Sequence, residues 1–180
     1  MDNDGVCWSA GRTPTGDRMD MQVSLSTVRE LLMFHYSRRE RLYDCVAGIE
    51  PEDFVRPMGI GWSDIRGTLV HCLRAEEFWV QHGIQGKARP KHDPDACPDA
   101  AALRALAHAV RQRTESFFQN LTESDLQREA SVVLSRGDTV RFTYGRALIH
   151  VIMHDAHHRG ELTALLRIMG YDPPWLDFLT

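Results

Sequence analysis

The sequence predicts an all-α protein, an up-and-down four-helix bundle with a short β-hairpin before the last helix. Four stretches of about 20 residues carry apolar side chains at alternating steps of three and four, the spacing of one buried helix face. Segments rich in glycine, proline and charged residues separate these stretches. A chain of 180 residues, 43% apolar and 26% charged, is long and apolar enough to bury one such core.

The first two helices are predicted from their N-terminal capping residues. Helix 1 is expected to open at Thr27, because Glu30, three residues later, completes a capping box. Helix 2 is expected to start after Ser63, a suitable N-cap, and to run to Gly83. The connector between the two helices, EDFVRPMGIGW, is predicted to be irregular.

The second half of the chain has equally clear boundaries. A loop over residues 83–98 leads to helix 3, which Asp99 can cap. The run SVVL-SRGD-TVRFTY is predicted to form a hairpin that turns at Gly137. The last helix is expected to start near Thr143 and to end at Gly170, with two prolines just beyond. Residues 1–22 are polar and predict a flexible tail, which leaves residues 23–180 as one domain.

Composition excludes several classes of function. The net charge of -4 argues against binding to duplex DNA, which needs a basic face. No run of about 18 apolar residues is present, so we expect no membrane span, and the N-terminus has no secretory h-region. The four cysteines lie far apart and form no C-x-x-C pair, which favours a reducing, cytoplasmic setting.

The last helix contains an unusual group of histidines. Four of the nine histidines fall between His150 and His158, within ALIHVIMHDAHHRGELTALLRIMG. His154 and His158 occupy the inner stripe, where a bundle helix normally places Leu or Val. They are one turn apart, about 6 Å along the axis, so both imidazoles can bind one divalent ion at about 2.0–2.1 Å. Because burying both without a shared partner is costly, we favour a metal site.

A third ligand must come from another helix. His35 lies on the stripe of helix 1, whereas His71 lies on the flank of helix 2, so spacing alone slightly prefers His35. Glu76 and Glu161 are carboxylate candidates, and the alternative for both is a solvated surface role.

Two further histidines of the last helix need an interpretation. His150 is one turn before His154 and about 40° round the helix, which allows a ligand, a group behind the ligands or a core histidine. We favour the last two interpretations. His157 points away from the inner stripe and is expected to be solvated.

Two segments carry a resemblance to a known family. DFVRPMGIGWSDIRGTLVHCLRAEEFWV and LIHVIMHDAHHRGELTALLRIMGYDPP resemble the DinB/YfiT-like family of metalloenzymes, and the similarity extends over nearly everything from residue 25 onward. The resemblance implies that His71, His154 and His158 are the metal ligands, which favours His71 over His35. The family more often has Gln where this chain has Glu161.

The resemblance also implies a class of function. Related proteins include bacterial thiol S-transferases that use bacillithiol, mycothiol or glutathione. We therefore expect a stress or detoxification enzyme that uses one divalent ion (zinc, nickel or iron) for thiol transfer or hydrolysis. The expected partners are a small-molecule substrate and a low-molecular-weight thiol, with no nucleic acid or membrane. The alternatives are a metal-binding or sensor protein without turnover, and a bundle whose histidines bind nothing.

Three histidines would leave a coordination position open, as in catalytic zinc sites. We expect this position to face a pocket near the bundle end, walled by the connector before helix 2 and the hairpin before helix 4. Trp62 and Tyr144 are the candidate lining residues, and ordinary core packing is their alternative role. A homodimer is also expected, because the broad apolar arc of helix 2 would expose a strip that a second copy could cover.

Overall fold

The computed structural model describes residues 22–59 and 61–179 and confirms an all-α bundle with a hairpin before its last helix. In chain order the helices are α1 (Leu25–Val46), the single turn α2 (Pro51–Phe54), α3 (Ile65–Glu77), α4 (Ala100–Gln119) and α5 (Tyr144–Ile168). A π-helical segment (Phe78–Ile84) continues α3, and single 3-10 turns lie at Pro94–Ala96 and Ser124–Gln127. The hairpin consists of β1 (Glu129–Val133) and β2 (Thr139–Thr143). Residues 1–21 of the predicted tail lie outside the described residues.

Two predicted helix starts need correction. Helix α1 begins at Leu25 rather than Thr27, because Ser24 is the N-cap and its hydroxyl accepts the backbone N–H of Thr27. Helix α3 is capped by Asp64 rather than Ser63, and the Asp64 carboxylate accepts the Gly67 N–H at 2.6 Å. A carboxylate accepts hydrogen bonds at a helix N-terminus more strongly than a hydroxyl does, which explains why Asp64 rather than Ser63 caps α3.

The start of α4 and both ends of α5 confirm the sequence prediction, whereas the connector predicted to be irregular contains part of the turn α2. Asp99 caps α4 by accepting the Ala102 N–H at 2.8 Å. Thr143 caps α5, and Gly170 follows its end with φ at 88°. Among residues 22–59 and 61–179, no helix has both the length and the apolarity that a membrane crossing needs.

The helices form a ring in which α5 packs against both α1 and α3, and α4 packs against the same two. The apolar core is divided into two clusters along the bundle. One cluster joins the first turns of α1 and α5 to the π-helical segment and the hairpin. The other joins the later part of α1 to α3, the first half of α4 and the last turns of α5.

A buried polar layer lies between the two apolar clusters. Each long helix contributes at least one polar side chain to it from its middle turns, and all are at most 9% exposed. The members are His35, Arg39, His71, Glu76, Thr114, His154, Asp155, His158 and Arg159. The candidate functional groups therefore lie inside the bundle, at mid-length.

The hairpin confirms the predicted turn at Gly137, where φ is 92°. Phe142 of β2 contacts the ring of Trp79 edge to face at 5.3 Å. The hairpin therefore packs on the π-helical segment. The α-helix that the sequence predicts as far as Gly83 is replaced in this segment by i→i+5 turns. Such turns are rare in proteins, and those that occur often lie near functional sites.

Candidate metal centre

Helices α3 and α5 bring three histidines to one point of the polar layer. His154 and His158 take the inner stripe of α5, as their spacing predicts, and are 9% and 0% exposed. His71, from α3, is 0% exposed. The structure thus brings together the three residues that the family resemblance indicated.

The three imidazoles converge through their Nε2 atoms. His154 Nε2 lies 3.0 Å from His71 Nε2 and 3.2 Å from His158 Nε2. Nitrogens bound to one divalent ion at about 2.05 Å, with tetrahedral or octahedral angles, would lie about 2.9–3.4 Å apart. The two distances therefore fall within the range that a shared ion would require.

Hydrogen bonding alone satisfies this arrangement poorly. A neutral imidazole offers either one proton or one lone pair at Nε2. His154 Nε2 faces two other nitrogens and can form a good hydrogen bond with only one of them. A cation at the centre of the three would use all three lone pairs, so the residues present fit a divalent metal ion.

A carboxylate behind His158 sets the orientation of its ring. Glu161 Oε2 lies 2.6 Å from His158 Nδ1, which places the proton on Nδ1 and leaves Nε2 as a lone-pair donor. The other Glu161 oxygen is 3.0 Å from Nε2 of His157, which is 60% exposed, as predicted. Glu161 was expected to be either a carboxylate of the metal site or a solvated surface residue. In the structure it contacts the candidate ligand His158 with one oxygen and the exposed His157 with the other.

Trp62 forms one wall of the centre. Its indole stacks on His71 with ring centroids 4.0 Å apart and planes 21° apart. The connector can approach α3 because residue 67 is glycine, and a Cβ there would lie 2.5 Å from the Trp62 carbonyl oxygen. The guanidinium of Arg74 lies 5.7 Å from the centre of the Trp62 ring.

The predicted role of Tyr144 as a lining residue is wrong. Tyr144 is buried in the apolar cluster beside the hairpin and donates its hydroxyl to the Ile84 carbonyl at 3.3 Å. It precedes His154 by ten residues, which separates them by about 15 Å along the helix. The hairpin likewise packs on the π-helical segment.

His150 lies next to the triad. Its ring centroid is 5.9 Å from that of His154, and its edge meets Trp79 at 4.9 Å. Burial lowers the pKa of His150. Its Nε2 is buried without a hydrogen-bond partner, and the same holds for Nδ1 of His71. The arrangement agrees with a group behind the ligands rather than with a fourth ligand.

The electrostatics of the centre keep the imidazoles of His71 and His154 neutral. Burial, followed by repulsion from the other two histidines and Arg74, lowers the pKa of His71 to about 2. Burial and the neighbouring His158 and His150 lower the pKa of His154 to about 3. Neutral imidazole is the form that binds metal, so the folded chain presents these ligands without competition from protons.

His35, which spacing preferred as the third ligand, faces a different group. Its Nδ1 lies 2.9 Å from Asp155 Oδ2, while Arg39 reaches Asp155 Oδ1 at 2.9 Å. Arg159 donates to the same Asp155 carboxylate. Burial would raise the pKa of Asp155, but Arg39 and His35 outweigh it and lower that pKa strongly. These residues form an ion-pair network on the side of α5 that faces α1.

Glu76 belongs to this network, so it is neither a carboxylate of the metal site, as which it was a candidate, nor solvated, which was the alternative. Its carboxylate is 0% exposed and accepts from Tyr36 and Thr114 at 2.7 Å each, and from Arg39 at 2.8 Å. Burial opposes its ionisation, yet Arg39 and His35 lower the pKa of Glu76 to about 2. Sequence analysis missed the network, and its signal was the presence of His35 and Arg39 on an otherwise apolar stripe of helix 1.

Comparisons with known proteins agree with the fold. The DinB family model matches residues 21–180. YjoA from Bacillus subtilis (strain 168), an uncharacterized protein, is 36% identical over 102 residues, a match spanning 56% of this chain and 64% of YjoA. YizA from the same organism, also uncharacterized, is 23% identical over 146 residues, or 81% of this chain and 90% of YizA.

Two solved structures have the same fold. A DinB-like protein from Bacillus cereus ATCC 10987 superposes with a TM-score of 0.62 at 18% identity, covering 86% of this chain and 99% of its own. The crystal structure of Bacillus subtilis YjoA, also a DinB-like protein, gives 0.61 at 18% identity, covering 84% and 98%. Since the family model spans nearly the whole chain and the fold agrees, this protein belongs to the DinB family.

Proposed function

We propose that this DinB-family protein binds one divalent transition metal through His71, His154 and His158 and uses it to act on a small molecule. The observation that carries the proposal is the convergence of three buried Nε2 atoms, two pairs of which are 3.0 and 3.2 Å apart. Zinc, nickel and iron all suit imidazole ligands. The reaction class that we favour is thiol S-transfer or hydrolysis, by similarity to the thiol S-transferases.

The chemistry follows from the number of ligands. An ion held by three neutral histidines keeps a position at which a thiol or a water would lose its proton and become a nucleophile. The chain's own contribution is orientation and shielding. Glu161 holds the His158 tautomer, Trp62 covers one face of His71, and the apolar clusters exclude water from the remaining sides.

A second candidate is a metal-binding protein without turnover. The observation that favours it is the depth of the centre, since His71 and His158 are both 0% exposed and only His154, at 9%, contacts solvent. A buried ion that no small molecule can reach would be structural. The two candidates differ in whether an added thiol can coordinate the ion.

The first experiment measures metal content. Protein purified without a histidine tag should carry close to one transition-metal ion per chain by elemental analysis. His154→Ala should abolish binding. His157→Ala, which removes the exposed neighbour on the same helix, is the matched control and should retain the ion. Full retention of metal by the His154→Ala variant would exclude this centre.

The second experiment tests for an open position. Cobalt-substituted protein should change its visible spectrum when a low-molecular-weight thiol is added, since a thiolate ligand alters the coordination of the ion. An unchanged spectrum at saturating thiol, with metal retained, would favour the structural candidate. A thiol-dependent change would support the enzyme.

A further inference from the structure

One helical turn after His71, Arg74 lines an open cavity of about 410 Å³ whose lining is mainly basic. Of the described residues that line it, Arg74, Arg89, Lys91 and His92 are basic, and Asp93 is the one acidic residue. The volume is in the range of small-molecule sites, which is about 300–1,000 Å³. Neither the triad nor the ion-pair network around Asp155 uses these side chains.

Arg74 and Trp62 connect this cavity to the metal centre. Arg74 follows His71 by three residues on α3, so the two side chains are neighbours on one helix face. Both contact Trp62, which stacks on His71 at 4.0 Å and has the Arg74 guanidinium 5.7 Å from its ring centre. Arg74 therefore belongs to the lining of the cavity and adjoins the metal centre through Trp62.

Contacts with the hairpin and with Phe78 hold Arg89 in place. Arg89 donates to Ser135 Oγ at 2.8 Å and to the Val133 carbonyl at 2.6 Å, and it lies 5.2 Å from the centre of the Phe78 ring. These contacts fix the loop that follows the π-helical segment against the hairpin. A guanidinium fixed in this way loses little conformational entropy when it binds a ligand.

Glu77, the buried carboxylate that pairs with the lining residue His92, is already engaged by other groups. Glu77 accepts from His92 and from Arg113, which lies on α4. Burial would raise the pKa of Glu77, but the hydrogen bond from His92 and the charge of Arg113 outweigh it and lower that pKa. Glu77 therefore holds His92 at the rim rather than opposing an incoming anion.

We propose that this cavity binds a small oxyanion, a carboxylate or phosphate group, carried by the molecule that is handled at the metal centre. Guanidinium groups bind both oxyanions through paired, charge-assisted hydrogen bonds. The link to a substrate rests on the proposed function, which it extends by naming an anionic substrate class. Anion binding itself depends only on the cavity, and the experiments separate the two claims.

The first experiment measures anion binding to metal-free protein. Inorganic phosphate and citrate are titrated by calorimetry into chelator-treated protein, with neutral glycerol as the blank. We expect at least one of the two anions to bind, and Arg74→Gln and Arg89→Gln to weaken binding about tenfold each, the typical contribution of a hydrogen bond to a charged group. Lys91→Gln should also weaken binding. Because Lys91 is exposed, this variant keeps the test valid if the arginine variants misfold.

The control is Arg104→Gln, which removes the same charge from α4, where Arg104 pairs with Asp44 at 2.7 Å. It should leave anion affinity within about twofold of the wild type, since a distant exposed charge is screened by salt. Equal affinity in the wild type and the Lys91 and arginine variants would overturn the proposal. So would anion binding that appears only after metal is added, because the anion would then be a ligand of the metal.

The second experiment tests the link to a substrate. On cobalt-substituted protein, 3-mercaptopropionate should change the spectrum at a lower concentration than neutral 2-mercaptoethanol, and Arg74→Gln should remove this preference. Equal response to the two thiols would overturn the link between cavity and substrate. If neither thiol responds while metal-free protein binds phosphate through Arg74, the proposed function fails and the anion site remains.

Discussion

Replacing Arg39 by methionine should be among the most destabilising single changes in this chain. Arg39 is 4% exposed and bridges Glu76 at 2.8 Å and Asp155 at 2.9 Å. Removing it leaves two buried carboxylates without their shared cation. Breaking a buried pair in this way costs about 3–5 kcal/mol. The lowered pKa of Glu76, about 2 against an ordinary 4.5, corresponds to about 3 kcal/mol at neutral pH, which agrees in size.

Urea denaturation of the metal-free protein at pH 7 measures this cost directly. The contribution of Glu76 is fully present above pH 4.5 and is lost as pH falls towards about 2, so the wild type and the variant should converge in acid. Arg104→Met, at a pair 42% and 70% exposed, is the matched control and should cost at most about 1 kcal/mol. A loss below about 1 kcal/mol for Arg39→Met would refute this account of the polar layer.

Four further predictions follow from the same geometry. Metal-free protein should lose stability as pH falls from 6.5 towards about 3, because the unfolded chain binds more protons than the folded chain in this range. The loss should reach up to about 1.4 kcal/mol per pH unit for each of His71 and His154, and thermal melts at stepped pH measure it. Glu161→Gln should weaken metal affinity about 10- to 100-fold in a competition titration. Gly67→Ala should lower the melting temperature, since its Cβ would meet the Trp62 carbonyl. Light scattering at micromolar concentration should give a dimeric mass, and a monomer would contradict this.

The surface expected to support a dimer is different from the one that the sequence indicated. The helix predicted as the second is α3, and no large apolar side chain of α3 is exposed among the described residues. It therefore offers no apolar strip for a second copy to cover. Of the eight exposed large apolar side chains among the described residues, five lie on α5 or in the last residues, namely Met153, Ile168, Trp175, Phe178 and Leu179. A dimer would therefore be expected to use this end of the chain.

The sequence predicted the helices well because their signals are local. Caps, stripes and terminal glycines depend on residues within a turn of each other, and the N-caps at Ser24 and Asp64 lie three positions and one position from the predicted ones. The pair His154 and His158 was predictable for the same reason. The π-helical segment was not, because its local pattern is that of an ordinary helix.

Contacts between helices were harder to predict, since periodicity places a residue on a face but does not name the facing helix. His35 lies on the inner stripe of α1 and is wholly buried, yet it meets Asp155 rather than the triad. His71 came from the family resemblance and not from spacing. Tyr144 was assigned to the wrong end because no local feature measures distance along the bundle.

Helix α5 explains why the two polar groups can coexist in one layer. His154 and His158 face α3, whereas Asp155 and Arg159, each one residue later, are turned by about 100° towards α1. Residues 154–158 also read H-D-x-x-H, which is close to the H-E-x-x-H of zinc proteases, whose glutamate is a general base. Here the aspartate has no such role beside the histidines, because Arg39, His35 and Arg159 hold it. These ion pairs fix the rotation of α5 against α1, and that rotation aims both imidazoles at His71. A one-residue shift of α5 would move the histidines off α3 and the aspartate off Arg39 together, so the ion-pair network and the candidate metal centre specify the same register.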